Sequence, residues 1–139
     1  MKNIVFVATL LALAGCSSSA VPVDKAKTAT ADRAFKFQAP KKGDAQLTVV
    51  RDSGIVGSGC YAAIFINGQK SALLNASEKV TFSLPGGEYE VGAAFDGAAL
   101  CSVGKERQER TVTLSTDQKK IVRVYSDSDA NLDIKPSTL

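Results

Sequence analysis

From Ala45 onward the chain alternates apolar and polar residues with a period of two. Turn signals interrupt that alternation at intervals of about 6–12 residues. Successive side chains of a strand point to opposite faces, so this period describes ribbons with one face for a core and one for water. A helix needs a period of 3.6, and no stretch after the N-terminal leader has it. Leu47 and Val49 alternate in AQLTVVR, and Val80, Phe82 and Leu84 do so between Lys79 and Leu84. Between Glu88 and Phe95, Tyr89, Val91, Ala93 and Phe95 fall on one face, with Glu88 and Glu90 on the other. The run Cys60–Ile66 is continuously apolar, which predicts a central strand covered on both faces.

Turn chemistry supplies the breaks. Asn67-Gly68 suits a type I′ hairpin, whose two central residues both need positive φ, and Lys70–Leu74 is the return strand. Pro85-Gly86-Gly87 and Asp96-Gly97 are further turns. Arg110–Leu114 is expected to pair with Ile121–Tyr125 through Thr116-Asp117-Gln118, and Leu132–Ile134 forms a last edge strand. The expectation is an all-β fold, a small antiparallel β-sandwich of seven or eight short strands over residues 44–136.

The N-terminus is different. Lys2 precedes an apolar run from Ile4 to Leu13, interrupted only by Thr9. About ten apolar residues suit the helical core of a signal peptide and are too few to cross roughly 30 Å of hydrocarbon. The following Leu13-Ala14-Gly15-Cys16 resembles the lipobox of bacterial lipoproteins. That resemblance implies cleavage of residues 1–15, with a diacylglycerol on the Cys16 thiol and an acylated amino group. It also implies the outer membrane, facing the periplasm, because Ser17 rather than Asp follows the cysteine. Residues 16–43 then form a lipidated tether. Its first half is Ser, Ala, Thr and Lys without apolar period and is expected to be flexible. Phe35 and Phe37 flank Lys36 and predict a short strand or a hydrophobic flap. The basic residues of this stretch are read as a solvated tether.

Cysteine arithmetic follows from the anchor. The chain has three cysteines. With Cys16 acylated, Cys60 and Cys101 are an even pair in an oxidising compartment and are expected to form a disulfide. A loop of about 40 residues closed by such a bridge stabilises a small domain by about 4 kcal/mol on the chain-entropy account. There is no histidine in the chain, which removes Ser-His-Asp and Cys-His catalysis and imidazole metal sites. Of 17 basic residues, 16 remain without Lys2, against 14 acidic, a net +2 that points to no nucleic-acid partner.

Phe37, Pro40, Gly43 to Arg51, Gly57-Ser-Gly59, Ile64 to Gly68, and Phe82 to Val91 occur in an order that resembles a family of small Gram-negative lipoproteins. Their domain is similar to PEGA-type surface β-sandwich modules. The resemblance covers residues 35–95 and rests on turns and alternation. It implies a fold, with no catalytic residues to transfer.

Three stretches are candidate sites. Arg51 with Gly57, Ser58 and Gly59 is a candidate interaction loop. A phosphate-binding loop would need a helix behind it, and a strand follows instead. Asp127-Ser-Asp129-Ala-Asn131 has the opening spacing of a calcium loop. Leu132 stands where glycine is required, and Thr138 cannot supply the closing bidentate carboxylate. No metal or other cofactor is therefore expected. Residues 105–110 are dense in charge and read as an edge or loop protected from aggregation. The expected function is a non-enzymatic envelope lipoprotein, bound to the membrane through its lipid and to an unknown envelope protein. The alternative is an inhibitor or exclusion lipoprotein that blocks a periplasmic enzyme or an incoming phage or plasmid with its Gly54–Gly59 loop. An enzyme would require a carboxylate pair such as Asp96 with Asp127.

Overall fold

The structure, a computed structural model, describes residues 18–54, 57–102 and 106–139. The leader 1–15, Cys16, Ile55, Val56 and Lys105 lie outside the described residues. No described helix is long and apolar enough to cross a membrane.

The fold is a small β-sandwich of nine strands in two sheets. The strands are β1 (Lys27–Thr28), β2 (Ala45–Arg51), β3 (Tyr61–Ile66), β4 (Gln69–Leu74), β5 (Glu78–Leu84), β6 (Gly87–Asp96), β7 (Gln108–Leu114), β8 (Lys119–Ser126) and β9 (Leu132–Ser137). One sheet has the order β1-β5-β2-β8-β9, the other β4-β3-β6-β7. Most neighbours are antiparallel, whereas β1–β5 and β2–β8 are parallel. The inward residues are the alternating ones: Leu47, Val49, Val80, Phe82, Leu84, Val91 and Ala93 are all buried, and Tyr89 and Phe95 pack against them half-buried.

The hairpin β3–β4 turns on Asn67 (φ 46°) and Gly68 (φ 77°), as its dipeptide demands. The other expected hairpin does not form. The loop after β7 switches sheets, so β7 pairs only with β6, and β8 lies parallel to β2. A parallel neighbour comes from a distant part of the chain, and local alternation carries no record of it.

The larger difference concerns the stretch read as a tether. Residues 19–38 are docked along the sandwich. Ser19 bridges Ser53, β1 pairs with β5, and Ala34 bridges Ala72 of β4. Ala26 and Ala29 are buried. Backbone bonds run from Lys27 to Ser77, from Ala29 to Lys79 and from Phe35 to Ser71, and Ser83 donates to Phe37. Phe37, at φ 58°, sets its ring edge-on to Phe82 with centroids 6.4 Å apart. The strap therefore covers the free edges of β5 and β4, where unpaired N–H and C=O groups would otherwise invite another chain. Arg33 fastens it: its guanidinium grips Glu78 at 2.5 and 2.8 Å and donates to the Leu73 carbonyl at 3.0 Å. The paired Arg33 holds the Glu78 carboxyl below its ordinary range. The flap expected around Phe35 and Phe37 is thus half realised, with Phe37 packed and Phe35 left 48% exposed.

Candidate functional site

Three places bear on function: the Arg51 loop, the Asp127 turn and a cleft at the opposite edge from the strap.

Arg51 ends β2 on the inward face and is 3% exposed. Its Nη1 donates to the carbonyls of Cys60 and Leu74, both at 2.7 Å, and Nη2 donates to Gly57 O at 2.8 Å. Its guanidinium also lies 5.9 Å from the Phe95 ring centroid. Burial pulls its pKa down to about 10, and the Glu78 carboxylate offsets part of that. The sequence offered Arg51 as an exposed partner of the glycine loop. The structure brings Arg51 and Gly57 together, but as an internal brace with no outward-facing guanidinium. Gly57 sits at φ 68°, and a Cβ there would collide with the Phe95 ring. Ser58 and Gly59 are exposed, and Cys60 is bonded to Cys101 immediately beyond them, with Cα atoms 5.5 Å apart. The expected disulfide is present.

Beside Arg51, buried Asp52 takes the Arg123 guanidinium in a two-point grip and accepts the Ser18 hydroxyl at 2.9 Å. Ser18 Oγ in turn receives Ser126 N–H at 3.0 Å. The chain emerging from Cys16 is thereby fixed to one end of the sandwich.

The Asp127 carboxylate accepts the backbone N–H groups of Asp129 and Asn131 at 2.9 and 2.8 Å. It organises its own turn, with Ala130 at φ 60°. The calcium-like spacing therefore serves backbone geometry, and no group of three or more metal-ligating side chains occurs among the described residues. Asp96, the other carboxylate considered, pairs with Lys70 at 2.9 Å.

The cleft was not legible in the sequence. It has a volume of about 770 Å³ and lies between β7, the start of β8 and the end of β9. Its floor is apolar, with Val112, Val122 and Ile134 buried. Arg110, Lys119, Lys120 and Lys135 line it, and no carboxylate does. Arg110 is tied to Asp133 at 2.7 Å and Lys120 donates to Thr113 O at 2.6 Å.

Neither the known family models nor the curated proteins contain a match to this chain. The residues expected at the charged edge do occupy one: β7 is the outer strand of its sheet, Arg107 pairs with Glu109 at 3.0 Å, and Arg107 stacks over Phe65 at 4.6 Å. A hint of the cleft existed in Lys119, Lys120 and Lys135, but only strand order puts them around one opening.

Proposed function

We propose that this chain is a non-enzymatic lipoprotein of the bacterial cell envelope, anchored through Cys16 to the outer membrane and facing the periplasm, which presents its stapled sandwich to another envelope protein. The observation that carries this reading is the Cys60–Cys101 bridge. It occupies two of the three cysteines and leaves Cys16, in its lipobox setting, as the remaining thiol. A disulfide also suits an oxidising compartment. Two or three acyl chains on one residue anchor almost permanently, since each buried CH₂ contributes roughly 0.8 kcal/mol.

The geometry is compatible with display. Ser18 is fastened beside Ser126, at one end of β8, and the cleft opens around Lys119 at the other. Eight residues of strand separate the two by roughly 23 Å at about 3.3 Å per residue. Ser18 and the cleft thus lie toward opposite ends of β8, an arrangement that suits display away from an anchor at Cys16.

Mass spectrometry of the protein from cells tests the anchor. The expected mature N-terminus is a triacylated or diacylated Cys16, and Cys16→Ser is expected to release the protein from the membrane fraction. An unmodified Cys16, or unchanged fractionation of C16S, overturns the reading.

A second reading, the inhibitor or exclusion lipoprotein, draws support from the exposed Ser58-Gly59 tip braced by Arg51 and the disulfide. A tip held at Gly57 and Cys60 loses less entropy on meeting a target than a free one. That reading requires Ser58→Arg to abolish exclusion in cells, and unchanged exclusion sinks it.

A further inference from the structure

We propose that the cleft beside β7 is a docking site for an extended acidic segment of a partner protein, which adds a strand to the free edge of β7. The proposal rests on the reading of the domain as an interaction module and names the chemistry of its partner.

Three independent features converge. The first is backbone orientation. In an antiparallel pair, residues opposite each other either exchange both of their hydrogen bonds or turn both groups away. Thr111 lies opposite Glu90 in the β6–β7 register. Glu90 directs its own backbone the other way: its C=O accepts Asn67 N–H at 2.8 Å and its N–H donates to Asn67 Oδ1 at 2.9 Å. Thr111 and, two residues on, Thr113 therefore turn their N–H and C=O groups toward the unpaired side. The Lys120 ammonium meets Thr113 O there, which agrees with that direction. β7 is an open edge, and its outward groups face the cleft.

The second feature is the floor. An added strand would alternate its side chains, and those turned inward would rest on Val112, Val122 and Ile134. The third is charge. The basic side chains at the cleft include Lys119, Lys120 and Lys135, and its lining has no acid. Two carboxylates lie nearby and both are engaged: Asp133 is joined to Arg110, and Glu90 accepts the Thr111 hydroxyl at 2.6 Å. A segment carrying glutamate or aspartate at alternate positions matches this rim, and a basic one is repelled.

The contrast with the other side of the sandwich supports a strand as the occupant. There the free edges of β5 and β4 are covered by the chain's own strap, through the same kind of main-chain bonds. On this side, among the described residues, no strand pairs with β7 beyond β6.

The test uses the intact protein purified in detergent and fluorescent peptides of alternating Val and Glu. Saturable binding is expected, weakening as salt rises because screening shortens the reach of the lysines. A Val–Lys peptide, and the Val–Glu peptide with alternate backbone nitrogens methylated, are each expected to bind at least roughly tenfold more weakly. Thr111→Pro, which removes an outward N–H and leaves the β6 pairing intact, is expected to weaken Val–Glu binding by a similar factor with the melting temperature within a few degrees of wild type, whereas Thr111→Val, which removes only the hydroxyl bonded to Glu90, is expected to bind normally. Lys119→Glu reports on charge alone and is expected to abolish the salt dependence in part. Equal binding of the methylated peptide, or no binding of Val–Glu, overturns the proposal. So does displacement by oleate with no effect of Thr111→Pro, which would make the cleft a lipid site.

Photocrosslinking in cells separates this failure from failure of the wider reading. A crosslinker at Lys36 on the strap that captures a partner, with none captured from Thr113, overturns the cleft and keeps the interaction module. Capture from neither position overturns both.

Discussion

The two long sides of the sandwich, where its sheets end in open edges, are finished in opposite ways. On the β4/β5 side, residues 19–38 cover both edges with main-chain bonds, two buried alanines and the Arg33–Glu78 grip. On the β7/β9 side the edges stay open around a cleft of about 770 Å³, guarded by lysines and by Pro136 near the end of β9. Lysine and proline discourage unspecific edge pairing, whereas a strap prevents it outright. The difference teaches that edge protection in a small domain can be selective: one side is sealed for stability, and the other is only filtered by charge.

The strongest way to break this comparison is to remove Arg51, which ties the two sheets together at one end of the sandwich. Arg51→Leu orphans the carbonyls of Gly57, Cys60 and Leu74. An unsatisfied buried acceptor costs about 1–3 kcal/mol, and of the three only the Leu74 carbonyl is bonded in a fully buried setting, so a loss of a few kcal/mol is expected in urea titration. A midpoint close to wild type would show that water replaces the guanidinium readily.

Next in size is the double change Cys60→Ser, Cys101→Ser, expected to cost about 4 kcal/mol or less. Because the bridge ties the connection between β6 and β7 to the start of β3, amide exchange should accelerate more on β7 than under the strap. Equal acceleration on both sides would mean that the open side has no weakness of its own.

Arg33→Ala attacks the sealed side alone. Charge-assisted bonds of this kind contribute about 1.5–3 kcal/mol, and the strap amides of Lys27 and Ala29 should lose protection first. The pH dependence follows from Glu78. Its carboxyl is held below the ordinary range in the folded protein, chiefly by Arg33. The stabilisation is therefore complete above the unfolded carboxyl range and is lost as pH falls through the lowered folded value. Wild-type protein should lose stability in acid more steeply than R33A, and parallel acid titrations would contradict the assignment.

The smallest effects come from a matched pair of prolines. Ala29→Pro deletes the bond to Lys79 O at 2.9 Å and should cost about 1 kcal/mol. Thr111→Pro, on the open edge, should cost no more than about 0.5 kcal/mol. Reversal of that order in thermal denaturation would place the sealed edge on the wrong side.

Much of the sheet structure was legible. Period-2 alternation picked out β2, β5 and β6 with the correct inward faces, and Asn67-Gly68 identified the β3–β4 hairpin. The charge around residues 107–110 correctly marked an edge. The strap was missed because residues 19–38 bury small side chains, Ala26 and Ala29, and dock through backbone groups, neither of which leaves a periodic trace. Arg51 was misplaced for a related reason. A charged residue after a strand normally faces water, and only the convergence of three carbonyls makes its burial tolerable.

By itself the sequence determined strands β2 to β9, the inward faces of the alternating ones, the β3–β4 turn and, through cysteine arithmetic, the Cys60–Cys101 bridge, because each depends on neighbours within a few residues or on a count. The tertiary structure alone decided which strands meet, that β8 runs parallel to β2, that the supposed tether seals one side, and that three lysines surround an opening on the other. Those outcomes depend on the order of strands in space. That order is set by burying the largest apolar area with every backbone group paired, a property of the whole chain that no short window of residues contains.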